Sequence, residues 1–398
     1  MNEIQTKAIT LETHELRDAL RKVCFIPVKE DSYGLPDILL ARENGRALLR
    51  AADLEDTISV ELHGEDDMGA TLLPRRSTAR FLTGADGSII FVSSPDAKFI
   101  TMKREGLGSV SLRIGDAPTL LPLPKDDNLV WYKVDAKWFC RALGWLIPAC
   151  AIEDTRPVLT SISLKDGAMA SADGFRLGVY KDARLSFGLQ GKEALLYAKT
   201  ANLVRRLFGK EEALEIALAH GDAGELTRVH FKAGNVELIS QLCRGTFPII
   251  EHLIPQSFQS KISFSVPLMA QRLGMIDIKE IAVSVIRFLF HKTDKDEDVC
   301  DIQTTTGEGV CDIQTTTGED VCDIQTTTGE DTGYSLSLPI KIEEGVKAKI
   351  AFDIKYILDA IKPFSVCTLE LNSSSSPGKF TGDIEGLIII VMPMFVQW

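Results

Sequence analysis

One pattern recurs six times along this chain: an alternating, strand-like run that passes directly into a helix. Residues 8–24, 129–146 and 261–276 form one set, and residues 70–82, 194–208 and 348–361 form a second. In the first helix Leu16, Leu20 and Val23 stand at spacings of four and three, which puts them on one face. Leu268, Leu273 and Ile276 give a weaker stripe of the same kind. The runs ATLLPRRSTARFL and ALLYAKTANLVRRLF share an apolar strand, a short polar step and a basic helix. Between the two helices of a unit lie alternating stretches such as 58–62 and 159–164, which read as further strands. Repetition on this scale restricts the fold to a few copies of one β-rich unit, each carrying two helices. Polar residues and proline interrupt the pattern near 125–127 and 255–260. The expected domains are therefore 1–127, 128–258 and 259–398, an α+β arrangement in which each repeat is large enough to bury its own core.

A shorter repeat sits inside the third unit. Residues 299–309, 310–320 and 321–331 are near-identical copies of VCDIQTTTGED. His14 and Arg75 are 61 residues apart, and Ala136 and Thr200 are 64 apart, but Leu268 and Ile354 are 86 apart. The excess corresponds to two copies of the eleven-residue unit. One copy is therefore expected to serve as an ordinary strand, with Val-Cys-Asp-Ile-Gln-Thr alternating and Thr-Gly-Glu-Asp turning, and two to be an expansion.

Chemistry-bearing motifs are few. Glu105-Gly106-Leu107-Gly108-Ser109 lacks the third glycine and the helix of a dinucleotide site, and no phosphate-binding loop, H-E-x-x-H or G-x-S-x-G occurs. The six histidines are scattered without metal-ligand spacing. Asp312 and Glu319 fit neither the EF-hand nor the calcium nonapeptide. None of the eight cysteines forms a C-x-x-C pair. The first residues lack the basic-then-apolar build of a signal peptide, and the longest apolar run, 387–396, is broken by Pro393. The expectation is a cytoplasmic chain without cofactor, metal or membrane role, and not an enzyme.

The positive signal is the placement of charge. The chain has a net charge of −12 and a pI near 5.1, which taken alone argues against nucleic acid. The six helical segments nevertheless hold fifteen cations against five acids, which is +10 and leaves −22 for everything else. Helical lysines and arginines ordinarily solvate an outer face. A segregation this large, repeated in three units, instead favours one basic surface that grips phosphate backbone without reading bases.

The chain resembles the bacterial DNA polymerase III β subunit, the sliding clamp, along its length. The resemblance rests on Ala52-Asp53-Leu54-Glu55, Ala172-Asp173-Gly174-Phe175-Arg176-Leu177, Gly245-Thr246-Phe247-Pro248, Leu253-Ile254-Pro255 and Val391-Met392-Pro393-Met394. It implies a head-to-tail homodimer of three repeated clamp domains per chain, closed as a ring on double-stranded DNA with helices inside and sheets outside. The implied role is a processivity factor that tethers a polymerase, assembled by a clamp loader, both partners binding through short peptides with a leucine and an aromatic residue. DNA contact is expected from Arg21, Lys22, Arg76, Lys137, Lys199, Arg205 and Arg206. By resemblance the peptide pocket comprises Leu159, Ala172, Gly174, Phe175, Arg176, Leu177, Pro248, His252, Leu253, Val391, Met392, Pro393 and Met394. Phe175 stands where the family often has histidine, Ala172 where it often has a hydroxyl residue, and His252 where arginine is common. The ending Phe395-Val396-Gln397-Trp398 is longer and more aromatic than usual, and Trp398 is expected to occupy or cap the pocket. The eleven-residue repeats are outside the family pattern.

Two other readings compete: a clamp-derived interaction protein that no longer closes a ring on DNA, and an enzyme on a β-rich scaffold, for which the scattered histidines offer no site. The repeat reading makes a direct prediction. Deleting residues 310–331 should leave a folded chain whose far-UV circular dichroism is unchanged and whose stability moves by no more than about 1 kcal/mol in urea.

Overall fold

The structure is a computed structural model. It describes all residues except 1–7, 28–37, 44, 66–69, 85, 95–97, 107, 115–125, 127, 154, 166, 277–284, 294, 305–333, 346–347 and 397–398. The chain divides into two compact units, one made of residues 1–144 and 186–244 and the other of residues 145–185 and 245–398.

Six helices occur among the described residues: α1 (Thr13–Val23), α2 (Arg75–Phe81), α3 (Ala136–Leu146), α4 (Ala198–Phe208), α5 (Val266–Leu273) and α6 (Ile354–Ile361). The strands that precede them are β1 (Ala8–Glu12), β6 (Thr71–Leu73), β10 (Trp131–Asp135), β14 (Glu193–Tyr197), β18 (Ser260–Ser265) and β23 (Ala348–Asp353), each ending no more than one residue before its helix. Local chemistry sets these starts. Pro267 opens α5 with a preset φ, and the Asp353 side chain accepts hydrogen bonds from Lys355 N and Tyr356 N at the start of α6. In α4, Ala201, Val204, Leu207 and Phe208 are buried on one face while Arg205 and Arg206 stay exposed in the last turn, where cations complement the helix dipole.

In the first unit, β1, β5 (Gly64–Glu65), β7 (Ser88–Ser93), β8 (Phe99–Arg104) and β9 (Gly108–Arg113) form a sheet in the order β5-β1-β7-β8-β9. A second sheet adds β2 (Ile38–Glu43), β3 (Arg46–Ala52), β4 (Asp56–Leu62), β15 (Ala213–His220), β16 (Leu226–Ala233) and β17 (Val236–Gln241), in the order β10-β15-β16-β17-β4-β3-β2-β6. The core between these layers holds Leu16, Leu49, Ile58, Phe139 and Phe231, each at most 1% exposed.

The second unit follows a matching plan. Its strands β11 (Ser161–Lys165), β12 (Ala168–Ala172), β13 (Arg176–Lys181), β26 (Leu387–Val391), β25 (Gly378–Gly382), β24 (Val366–Leu371), β18 and β22 (Lys341–Glu344) lie side by side in that order. A four-stranded sheet has the order β21-β20-β19-β23, with β19 at Val285–Lys292, β20 at Asp298–Thr304 and β21 at Tyr334–Pro339. Its aromatic core links Phe288 to Phe352 and Phe352 to Phe380, with ring centroids 6.2 and 5.8 Å apart. The pairing of β17 with β4 thus has a counterpart in β26 with β13, antiparallel in both cases.

The first eleven-residue copy supplies β20, where Cys300 and Ile302 are fully buried and Asp301 meets His291 at 2.7 Å on the other face. The remainder of the repeat array falls within 305–333, outside the described residues, as does Trp398.

Two helical arginines are structural. Arg75 on α2 donates to Cys24 Sγ at 2.8 Å, to Ile26 O at 3.0 Å and to Cys24 O, closing the carbonyl end of α1. Arg17 on α1 donates in return to Leu82 O at 3.2 Å, just past the end of α2. Replacing Arg75 with alanine should cost about 2 kcal/mol in denaturant unfolding, because three acceptors lose a charged donor. Lysine should recover only part of that loss, since it lacks the guanidinium fork.

Candidate nucleic-acid surface and peptide pocket

The seven cations expected to meet DNA lie in the first unit, and the fold treats them unequally. Arg21, Arg76, Lys137, Lys199, Arg205 and Arg206 are exposed and Lys22 is half-buried. Arg21 pairs with Asp18 at 3.3 Å on the surface of α1, a contact of little energetic weight. Arg206 lies flat over the Phe25 ring, 4.0 Å from its centroid. Lys137 pairs with Glu212, whose carboxylate holds the ammonium above its ordinary pKa.

Lys137, Arg141 and Arg205 converge, with Cys140 and Gly209, on an open groove of about 470 Å³ between α3 and α4. Gly144 explains how Arg205 lies there: a Cβ at that position would come within 3.0 Å of the guanidinium Nε. The absence of a side chain on α3 lets the arginine rest across the helix. Burial keeps the Cys140 thiol protonated, pushed up to about 11 despite Arg205 nearby, so the groove is a site of fixed positive charge.

Lys199 differs from the rest. It is held by Glu55, with Asp53 and Asp56 each at 3.6 Å. Asp53 and Glu55 belong to the three-residue turn between β3 and β4, and Asp56 is the first residue of β4. Asp53 Oδ1 accepts from Glu55 N at 2.8 Å and Asp56 N at 2.7 Å, while Asp53 N donates to Asp56 O at 2.9 Å. Asp56 points inward, 1% exposed, and accepts from Thr200 Oγ1 at 2.8 Å. Burial raises its carboxyl to about 6, offset in part by hydrogen bonds from Ser240 and Thr200.

The same turn recurs between β12 and β13 in the second unit. Asp173 Oδ1 accepts from Phe175 N at 2.9 Å and Arg176 N at 2.7 Å, and Gly174 adopts φ +94°. Beside it opens a cleft of about 490 Å³. Of the pocket residues expected from sequence, Ala172, Gly174, Phe175, Arg176, Leu177, His252, Leu253 and Met392 line it together. Ala172, Leu177 and Ile390 form its floor, because strand register sets Ala172 opposite Leu177 and Leu177 opposite Ile390. Phe175, Leu253 and Met392 rise from the rim, 56%, 47% and 43% exposed. The remaining expected residues lie elsewhere. Leu159 is buried in a 3-10 turn, Pro248 is exposed outside the lining, and Val391 is buried opposite Arg176 and Gly378. Pro393 and Met394 are half-buried beyond the strand, with Met394 N bonded to Ala351 O at 2.8 Å.

Sequence reasoning missed Pro255, Gln256, Ser257, Asn372, Ser376, Pro377 and Ile390. The first three fall in the polar stretch 255–260, whose composition marks a domain boundary, and Asn372 to Pro377 is a serine run with no periodic signal. Their amides and hydroxyls give the cleft a neutral polar rim. The Arg176 guanidinium is already occupied, bonded to Asp173 and Asp359 at 2.9 Å each and stacked 4.2 Å from the Tyr356 centroid. Among the described residues no cluster of His, Cys, Asp and Glu could hold a metal, and no helix is long and apolar enough to cross a membrane.

Solved structures share this architecture nearly end to end. The DNA polymerase sliding clamp from Bacillus subtilis superposes with a TM-score of 0.81 at 15% identity, covering 99% of this chain and 100% of that one. A putative DNA polymerase III β subunit from Eubacterium rectale gives 0.80 at 13% identity, over 98% and 99%. The fold is that of a sliding clamp. By sequence the chain is similar to the beta sliding clamp of Staphylococcus aureus, 26% identical over 223 residues, 53% of this chain and 56% of that protein. It is also 25% identical over 251 residues to the beta sliding clamp homolog GriR of Streptomyces muensis, 61% of this chain and 65% of that protein. The chain thus spans a little over half the length of the first curated clamps it matches. No family profile matches it. In sliding-clamp terms, the cationic groove lies on the helices and the apolar cleft beside the strands.

The buried Asp56 yields a pH prediction. Its folded pKa lies above the unfolded value, so the folded state binds the extra proton, and stability from this group falls as pH rises from about 4 through 6. Asp56→Asn should remove that slope. Relative to wild type, the variant should gain up to about 3 kcal/mol between pH 4 and pH 8 in urea titrations.

Proposed function

We propose that this chain is a DNA sliding clamp, a non-enzymatic processivity factor built from repeated domains at 1–127, 128–258 and 259–398. Two copies join head to tail in a ring around duplex DNA, and the chain works in the cytoplasm. One observation carries the ring. The junction of β17 with β4 is repeated by β26 with β13, and a third such junction is missing among the described residues. Its two halves are the outer strands β9 and β21, each at the end of its sheet among the described residues. Val110 on β9 supports this, since it stands opposite the buried Met102 yet is 38% exposed. An open edge with inward apolar residues is a template for another strand, and a second copy supplies the matching edge at both seams.

The helix cations supply the grip on phosphate, led by the groove of Lys137, Arg141 and Arg205, with Arg21, Lys22, Arg76 and Arg206 adding to it. Lys199 is engaged by three carboxylates and contributes less. The cleft beside Phe175 takes short peptides from a polymerase and a clamp loader. Tethering then acts through effective concentration, with no bond made or broken.

Two measurements test this reading. Arg141→Glu with Arg205→Glu should weaken duplex binding at least ten-fold and flatten its salt dependence by about one to two units of log–log slope, with unchanged circular dichroism. Val110→Asp should convert a dimer, seen by light scattering, into a monomer. A wild-type chain that is monomeric and indifferent to DNA would overturn the clamp reading in favour of a clamp-derived interaction protein.

A further inference from the structure

One wall of the peptide cleft is held from a helix as well as from its own strands. Phe175 sits at the tip of the β12–β13 turn, 56% exposed, with its carbonyl taking Met392 N at 2.8 Å. The next residue, Arg176, runs inward beneath it with a side chain only 7% exposed. Its guanidinium has three partners. Asp173 belongs to the turn, whereas Asp359 and Tyr356 belong to α6. The Phe175 ring is also tilted against Tyr356, with centroids 6.2 Å apart. The turn is therefore fastened to α6 by one buried fork, and α6 presents Lys355 to solvent with Lys362 exposed just past its end.

The first unit carries the same fastening with its charges exchanged. There the residue after the turn is Asp56, equally buried, and the helix supplies Lys199 and Thr200 from the first turn of α4. The exposed tip residue of that turn is Leu54. The lock is common to both junctions, and only the second adds an aromatic wall above it.

We infer that Arg176 is a positioning residue for the peptide site, holding the Phe175 wall in its receptive position by anchoring the β12–β13 turn to Asp359 and Tyr356 of α6. This rests on the peptide-site reading above and adds its control: peptide affinity depends on two residues of α6 that are absent from the cleft lining.

The test is a fluorescence-polarisation titration of the full chain with a labelled short peptide carrying a leucine and a phenylalanine. Asp359→Asn, which keeps shape and removes the charge, should weaken binding five- to twenty-fold. Asp359→Glu should stay within two-fold of wild type. Arg176→Lys should weaken binding similarly, and Asp359→Asn added to it should cost less than two-fold more, since both act through one contact. Asp56→Asn, at the equivalent lock in the first unit, should leave peptide affinity unchanged. Thermal midpoints of all variants, read alongside, separate positioning from loss of fold. If wild type binds and a folded Asp359→Asn binds equally well, the inference is overturned while the peptide site stands. If Asp359→Glu loses as much as Asp359→Asn, or Asp56→Asn weakens binding too, the contact is merely structural and the inference is again overturned. Wild type failing to bind at high micromolar peptide would overturn the site and the inference together.

Discussion

A single aspartate carboxylate, accepting two successive backbone N–H groups, turns the chain at Asp53 and again at Asp173. Each turn leaves three residues outside the ladder and delivers the fourth, Asp56 or Arg176, as the first residue of a strand. That strand then pairs with one from far along the sequence, β4 with β17 and β13 with β26. Were the turn one residue longer, every side chain of β4 or β13 would change face. The buried floor of the cleft and the contact between turn and helix both depend on that register.

The buried charges follow from the turn. A side chain sent inward from the first strand residue meets a helix, and an isolated charge there would be costly. The two units answer with opposite signs: a carboxylate facing Lys199 and Thr200 in one, a guanidinium facing Asp359 and Tyr356 in the other. The exchange matters because the two solutions differ in stiffness. Arg176 makes a planar, forked contact with two carboxylates, whereas Asp56 remains partly desolvated and titrates near pH 6.

How much of this was legible in the sequence depended on range. The six strand-to-helix passages were visible because period two gives way to period 3.6 within a dozen residues, and all six fall where the pattern put them. The two Ala-Asp turns were visible as short motifs. The pairing of β17 with β4 was not, since nothing local in 236–241 names a partner almost 180 residues earlier. Charge behaved the same way. Counting cations on helices located a basic surface, but Arg75 is committed to Cys24 and Ile26, and Lys199 to acids some 145 residues away. The cleft was half legible: its strand residues carry motifs, while Gln256, Ser257 and Asn372 lie in polar loops indistinguishable by composition from a linker.

The eleven-residue array has a consequence for how this chain can change over generations. All three copies place cysteine and isoleucine at the same two inward positions that Cys300 and Ile302 fill in β20. Whichever copy stands first can therefore form the strand, and gain or loss of a whole copy preserves both the reading frame and the packing. The added chain enters a connection whose closure entropy grows only logarithmically, about 0.6 kcal/mol per doubling. Tandem duplications are prone to slippage when copied, so this segment is a place where related chains can differ in length by multiples of eleven while their sheets stay in step.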